Sequence, residues 1–410
     1  MSVPEKVLIF APFNFAPSFL GLNLEFLQKE IDQGNEVTYM TCDRSFSSCG
    51  FNAFGLKYMC TICMKRFEAA QGLINGKFRT LRLADILNPS DTGYAARHME
   101  TKSELKKTDV VENFEVGESV YSTLISKTKE KSLSDPAELK IMKKVANQSL
   151  MIYNSLKRFI DEQQITCVIL FNGRWDYYRA ALSAARAKKV RIQVIENLRP
   201  GGFYETFGDA LPHNRKKKNE LIDQHWNAEP DIGLKHKIAG DFFSSKRNGA
   251  AVLGKSYTQE QKRGHLPDYI DPAKKLIVIY NSSDFEYEAV GKEYSNPFFP
   301  DQASSILFVS SLVSKRADYQ LVVRMHPNLK GLKRDFLKPI YHLTGRYPNV
   351  FVITPEDEVD SYALMDSAFK VITYVSFMGI EASYWGKPVI ILNHSLYSDA
   401  DIAVVASFRK

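Results

Sequence analysis

The chain has 410 residues, too many for one comfortable core, so two domains are the default. Hydrophobic residues make up 44% and charged residues 25%, a balance that excludes a disordered chain, and no apolar run reaches the roughly 18–20 residues needed to cross a bilayer. The formal net charge of +7 is modest, and no nucleic-acid module accompanies the basic runs Lys140–Lys144, Arg186–Arg191 and Arg215–Lys218. They read as solvated helix faces, with an anionic membrane surface as the functional alternative and no nucleic acid. Met1 to Phe10 does not have the make-up of a secretory signal. The expected location is cytoplasmic, with a peripheral position on the inner face of the cell membrane.

In chain order, Lys6 to Ala11 is apolar after its first residue, as a buried parallel strand should be. Pro17 opens a helix with Leu20, Leu24, Leu27 and Ile31 on one face; Gly34 stops it, and Val37 to Thr41 is the next strand. Residues 42 to 63 form a cysteine loop, and a long periodic helix runs from about Pro136 to Asp161. Then come a strand at Thr166–Phe171, the loop Asn172-Gly173-Arg174-Trp175, an Ala-rich helix from Tyr177 to Lys188, and a strand from Val190 to Ile195. From Asn197 to about Arg215 the chain is a loop holding Pro200, Gly201 and Gly202, followed by basic helical segments to about Arg263. Gly264-His265-Leu266-Pro267 reads as a hinge, so the predicted domains are residues 1–265 and 266–410.

A fresh alternation follows the hinge. Strands are predicted at Lys275–Tyr280, Gln320–Arg324, Val350–Thr354, Phe369–Thr373 and Pro388–Leu392. Helices fall at Gln302–Ala317, Leu332–Thr344, from Asp360, and at Phe377–Trp385. The predicted fold class is α/β, two Rossmann-like doubly wound domains facing a cleft. No Gly-rich dinucleotide fingerprint is present, so nicotinamide and flavin binding are unsupported.

Strand ends of an open parallel sheet aim their loops at the ligand crevice. In the C-terminal half those loops carry Ser282, Arg324, His326 and Ser376, with Gly379 and Glu381 just inside the following helix. Ser376 can cap that helix, Arg324 and His326 can donate to a diphosphate, and Glu381 can accept from ribose hydroxyls. In the N-terminal half a general base for an acceptor hydroxyl would be Glu196, Asp176 or His213, with Asn172 and Arg174 as positioning groups. Glu196 is the preferred candidate because a strand end fixes it.

Cys42, Cys49, Cys60 and Cys63 supply four thiols within 22 residues, a ligand number that suits structural tetrahedral zinc. Four reduced thiols or an iron–sulfur cluster are the alternatives.

The segments RMHPN and DSYALMDSAFKVITYVSFMGIEASYWGKPVI resemble the donor-binding half of GT-B glycosyltransferases of bacterial capsule and lipopolysaccharide biosynthesis. FNGRWDYYRAALSAARAKKVRIQVIE resembles their N-terminal half. The resemblance implies a nucleotide-sugar donor, with His326 and Ser376 near the phosphates and Glu381 near the ribose. It also implies a glycan or lipid-linked glycan acceptor and transfer without a catalytic metal. Phe377 departs from the pattern, since many relatives carry a small residue there. Two further readings stand beside sugar transfer: a polyol-phosphate transferase of the same fold, and a non-catalytic zinc-containing interaction protein.

Overall fold

The computed structural model describes residues 3–46, 49–52, 55–100, 104–130, 136–198, 203–252, 256–294 and 298–406. Two compact units divide the chain, Met1–Asn214 and Arg215–Lys410.

The first unit is built on a six-stranded sheet of β1 (Lys6–Phe10), β2 (Glu36–Thr41), β3 (Arg79–Arg82), β4 (Cys167–Phe171), β5 (Arg191–Leu198) and β6 (Phe203–Phe207), ordered β3-β2-β1-β4-β5-β6. All neighbours pair in parallel except β5 and β6. The two central strands are the most apolar: Val7 to Phe10 and Cys167 to Phe171 are buried, because helices cover both faces of such a sheet. The helix Pro17–Asp32 ends where Gly34 takes a positive φ of 81° and its amide returns to the Ile31 carbonyl, the left-handed exit that glycine makes easily. The helix Pro136–Gln163 buries Met142, Val145, Leu150, Tyr153 and Leu156 along one face.

The second unit repeats the topology with β7 (Lys275–Tyr280), β8 (Tyr319–Arg324), β9 (Val350–Ile353), β10 (Lys370–Thr373), β11 (Val389–Ile391) and β12 (Val404–Val405), ordered β12-β11-β10-β7-β8-β9 and all parallel. Both sheets therefore place their first strand beside their fourth. The order reverses there, between β1 and β4 and between β7 and β10, and crevices open outside such switch points. Two Rossmann-like doubly wound domains are what the sequence predicts.

Three strands were not expected. β3 has one apolar side chain, Leu81, and is a sheet edge; β6 follows a glycine-rich stretch and pairs back antiparallel on β5; β12 is two residues long. None carries a hydrophobic period, so only backbone pairing defines them. Conversely, the helix expected at Leu332–Thr344 shrinks to Lys338–Tyr341, preceded by the single 3₁₀ turn Asp335–Leu337. Cys60 and Cys63, expected in a loop, lie on the helix Lys57–Ala70.

The domain break expected at 265/266 falls instead between Asn214 and Arg215. The helices Arg215–Ala228 and Ile232–Arg247 and the segment after them belong to the second unit. The Gly264 amide donates to Asp360 Oδ2 at 2.7 Å, the Asp360 amide to the His265 carbonyl at 3.0 Å, and the Lys262 amide to the Glu358 carbonyl at 2.8 Å. A stretch with glycine and proline reads as a hinge, but these bonds fasten it.

Candidate functional site

The loops that leave β7, β8 and β10 meet at the second switch point. The His326 amide donates to the side-chain oxygen of Asn281, and the Asn281 amide to the Arg324 carbonyl, so the β7 and β8 loops are stitched together. On the other side the Val375 amide donates to Ser282 Oγ at 3.2 Å, joining the β7 and β10 loops. Of the expected donor-site residues, Ser282, His326 and Ser376 are thus brought onto one set of linked loops.

His326 is held in one protonation state. Its Nδ1 accepts the Asn328 amide at 3.0 Å, which leaves Nε2 to carry the proton, and the ring packs edge-on against Tyr257 with centroids 4.9 Å apart. Burial, then the nearby Arg324 charge, pushes its pKa down to about 4. The imidazole is accordingly a neutral N–H donor at physiological pH.

Ser376 uses its hydroxyl to accept the Met378 amide at 3.3 Å, while its carbonyl accepts the Gly379 amide. The first turn of the helix Met378–Tyr384 is therefore closed on the serine itself. Gly379 is needed for contact: a Cβ there would collide with the Tyr397 hydroxyl and lie 2.8 Å from Tyr397 Cζ and 3.0 Å from Thr373 Oγ1. Tyr397 in turn donates to the Ser376 carbonyl at 2.6 Å.

Arg324 and Glu381 are occupied by protein groups. The Arg324 guanidinium donates to the Thr354 and Asp357 carbonyls. Glu381 is 2% exposed; one oxygen pairs with Lys246 Nζ at 2.7 Å and the other accepts the Tyr362 hydroxyl. Lys246 also stands 4.2 Å from the centre of the Phe377 ring, which gives that unusual residue a partner. Lys246, Tyr362 and Tyr397 were missed by sequence reasoning: Lys246 lies in a helix that reads as plain basic surface, and its partner is 135 residues away.

In the first unit, Asn172, Arg174 and Glu196 meet at the ends of β4 and β5. Asn172 adopts a positive φ of 58°, donates through its side chain to Glu196 Oε2, and accepts the Arg174 amide at 3.2 Å. Glu196 Oε1 accepts the Asn197 amide at 3.1 Å. Arg174 bonds Ser122 and Ser126 at 3.2 and 3.3 Å and lies over the Trp175 ring; burial brings its pKa down to about 10. Asp176 is fully buried, and burial lifts its carboxyl to about 7. His213 lies on the turn that runs from Leu211 to Asn214. Arg199, Pro200, Gly201 and Gly202 lie outside the described residues.

Cys42, Cys49, Cys60 and Cys63 all line one cavity, and none is in a disulfide. Among the described residues no group of three or more His, Cys, Asp or Glu is arranged to hold a metal, and no helix is long and apolar enough to cross a membrane.

Residues 293–403 match the family described as capsule polysaccharide biosynthesis protein. That span holds β8 to β11 with His326, Ser376, Gly379 and Glu381. The chain is also 25% identical over 247 residues to a Clostridium acetobutylicum protein described as a UDP-N-acetylglucosamine 2-epimerase, the alignment spanning 58% of each chain. Among solved structures it is similar to the Thermosulfurimonas dismutans KpsC beta Kdo 2,4 transferase, at 15% identity and TM-score 0.41 over 59% of this chain and 74% of that one. It is also similar to the Neisseria meningitidis UDP-GlcNAc 2-epimerase, at 13% identity and TM-score 0.27 over 98% and 87%. The match to capsule polysaccharide biosynthesis proteins lies within the second unit, and both units are built on a Rossmann-like sheet.

Proposed function

We propose that this protein is a glycosyltransferase that moves a sugar from a nucleotide-activated donor onto a surface-polysaccharide acceptor, capsule or lipopolysaccharide. The observation that supports it most is the stitching of the β7, β8 and β10 loops at the second switch point, inside and beside the segment that matches the capsule family. In this reading His326 Nε2–H donates to the departing phosphate, the loops around Ser282 and Ser376 seat the rest of the nucleotide, and Gly379 keeps that floor in place. A preorganised donor aimed at developing negative charge is worth roughly 10²–10³ in turnover. Glu196, oriented by Asn172 and the Asn197 amide, is the proposed base for the acceptor hydroxyl, with Asp176 and His213 as the other candidates. The acceptor is a glycan or lipid-linked glycan, transfer needs no catalytic metal, and the protein works at the cytoplasmic face of the membrane.

Calorimetric titration with CMP, UDP, GDP and TDP, followed by turnover with the matching activated donors, tests the proposal. One nucleotide should bind saturably, and His326→Ala should weaken it at least several-fold with the fold intact. Absence of binding by all four would refute both the sugar and the polyol-phosphate readings and leave a non-catalytic protein.

Sequence similarity to a 2-epimerase favours one second reading, inversion of a nucleotide sugar without any acceptor. It predicts that UDP-N-acetylglucosamine alone is converted, which proton NMR of the sugar would show.

A further inference from the structure

We propose that the helices Arg215–Ala228 and Ile232–Arg247 form a dimerisation arm, on which a second copy of this chain docks about a two-fold axis. Both helices belong to the second unit and are joined by residues 229–231. The first starts where Arg215 pairs with Asp399 at 3.1 Å and its amide donates to Glu293. The second ends with Phe243 stacked on Tyr384, ring centres 4.1 Å apart, and with Lys246 on Glu381. These two feet fasten the arm to the body of the unit.

Between the feet, the crown from residue 222 to residue 238 is exposed at nearly every position. The first helix buries no residue and the second only Phe243. Ile222, Trp226, Ile232, Leu234 and Ile238 are exposed by 57%, 54%, 54%, 40% and 59%. Ile222 and Trp226 are four apart on one helix, and Leu234 and Ile238 four apart on the other, so each pair shares a face. Lys235 Nζ lies 4.0 Å from the centre of the Trp226 ring, which brings the two helices together at that point.

Helices of this length draw most of their stability from packing an apolar face, and Gly233 and Gly240 weaken the second one further. The crown carries the apolar side chains for such packing and leaves them in water. Single exposed apolar residues are ordinary; five gathered on one arm mark a contact surface.

Charge selects the occupant. Asp223, Glu229, Asp231 and Asp241 outnumber Lys235 and Lys237 around the crown, so an anionic bilayer would repel it. A second copy meets each sign with the other, as a self-complementary two-fold contact requires. The helices are about 21 and 24 Å long, and one face of the pair offers roughly 800 Å², the area one side of a standard stable interface occupies. An apolar centre with a tryptophan and a charged rim is the make-up of such an interface.

Sedimentation velocity of the full chain over a range of concentrations should show a monomer–dimer equilibrium, with dissociation in the micromolar range or below. The double variant Ile222→Asp with Ile238→Asp should weaken dimerisation at least a hundredfold. Trp226→Ala should weaken it at least tenfold, as expected where a tryptophan is a central contact. Circular dichroism checks that each variant is folded; if the double variant is not, Trp226→Ala decides. The proposal is overturned by a full chain that stays monomeric at every concentration, or by dimers of undiminished strength in the crown variants. It is equally overturned by a monomeric chain that sediments with phosphatidylglycerol vesicles only while the crown is intact, which would assign the crown to lipid. Failure here leaves the sugar-transfer reading untouched, since no step of it runs through the crown.

Discussion

Gly379→Ala tests whether this glycine serves packing beneath the Ser376 loop. The added methyl must displace Tyr397, whose Cζ it would approach to 2.8 Å and whose hydroxyl it would overlap. Moving that ring costs its bonds to the Ser376 carbonyl and to Thr373 Oγ1, about 1 kcal/mol each. Overpacking adds a further 1–3 kcal/mol or so, giving a loss of roughly 3–5 kcal/mol. Tyr397→Phe removes the overlapping oxygen, so Gly379→Ala should cost about 1–2 kcal/mol less in that background, a coupling expected of residues in contact. Equilibrium urea unfolding of the four proteins, followed by tryptophan emission and circular dichroism, measures the cycle. A single variant within about 0.5 kcal/mol of the parent, a surface-like value, would refute the contact argument. So would an unchanged penalty in the Tyr397→Phe background.

Other expectations concern charge. His326 has a folded pKa of about 4 against 6.5 unfolded, so the unfolded chain takes up the extra proton. Its contribution is complete above about pH 6.5 and is lost as pH falls toward 4, roughly 3 kcal/mol in all. His326→Gln should flatten that limb of the stability profile; an unchanged profile contradicts a neutral, half-buried imidazole. For the same reason nucleotide affinity should show no His326 titration between pH 5 and 8. Lys246→Ala strands the buried Glu381 carboxylate and should cost about 3–5 kcal/mol, with Glu381→Gln in the same chain recovering part of it. Equal stability of the Lys246→Ala variant and its parent in urea would show that the pair carries no weight. Asn172→Ala frees Glu196 from its orienting donor and should lower turnover at saturating donor while leaving nucleotide affinity alone. A drop in nucleotide affinity instead would move Asn172 out of the acceptor role.

Much of the fold was legible because buried parallel strands announce themselves. The runs of β1, β4, β7 and β8 are apolar through their middles, and glycine or a capping residue such as Asp360 marks the helix limits. Composition could not reveal β3, β6 or β12, whose place depends on backbone hydrogen bonds to a neighbour already folded. The basic helices looked like part of the first domain because they follow it in sequence, and only Asp360, Glu358 and their partners show where the segment after them fastens.

The sequence also named the loops that folding links at the second switch point, since strand-end position is a one-dimensional property. What each side chain does there depends on partners far along the chain. Glu381 is a carboxylate in a helix until Lys246 and Tyr362 close on it, and Gly379 is one more flexible residue until Tyr397 fills the space beside it. Periodicity fixes which face of an element is buried; the energy of a buried charge or a close contact is set by what folding brings against it.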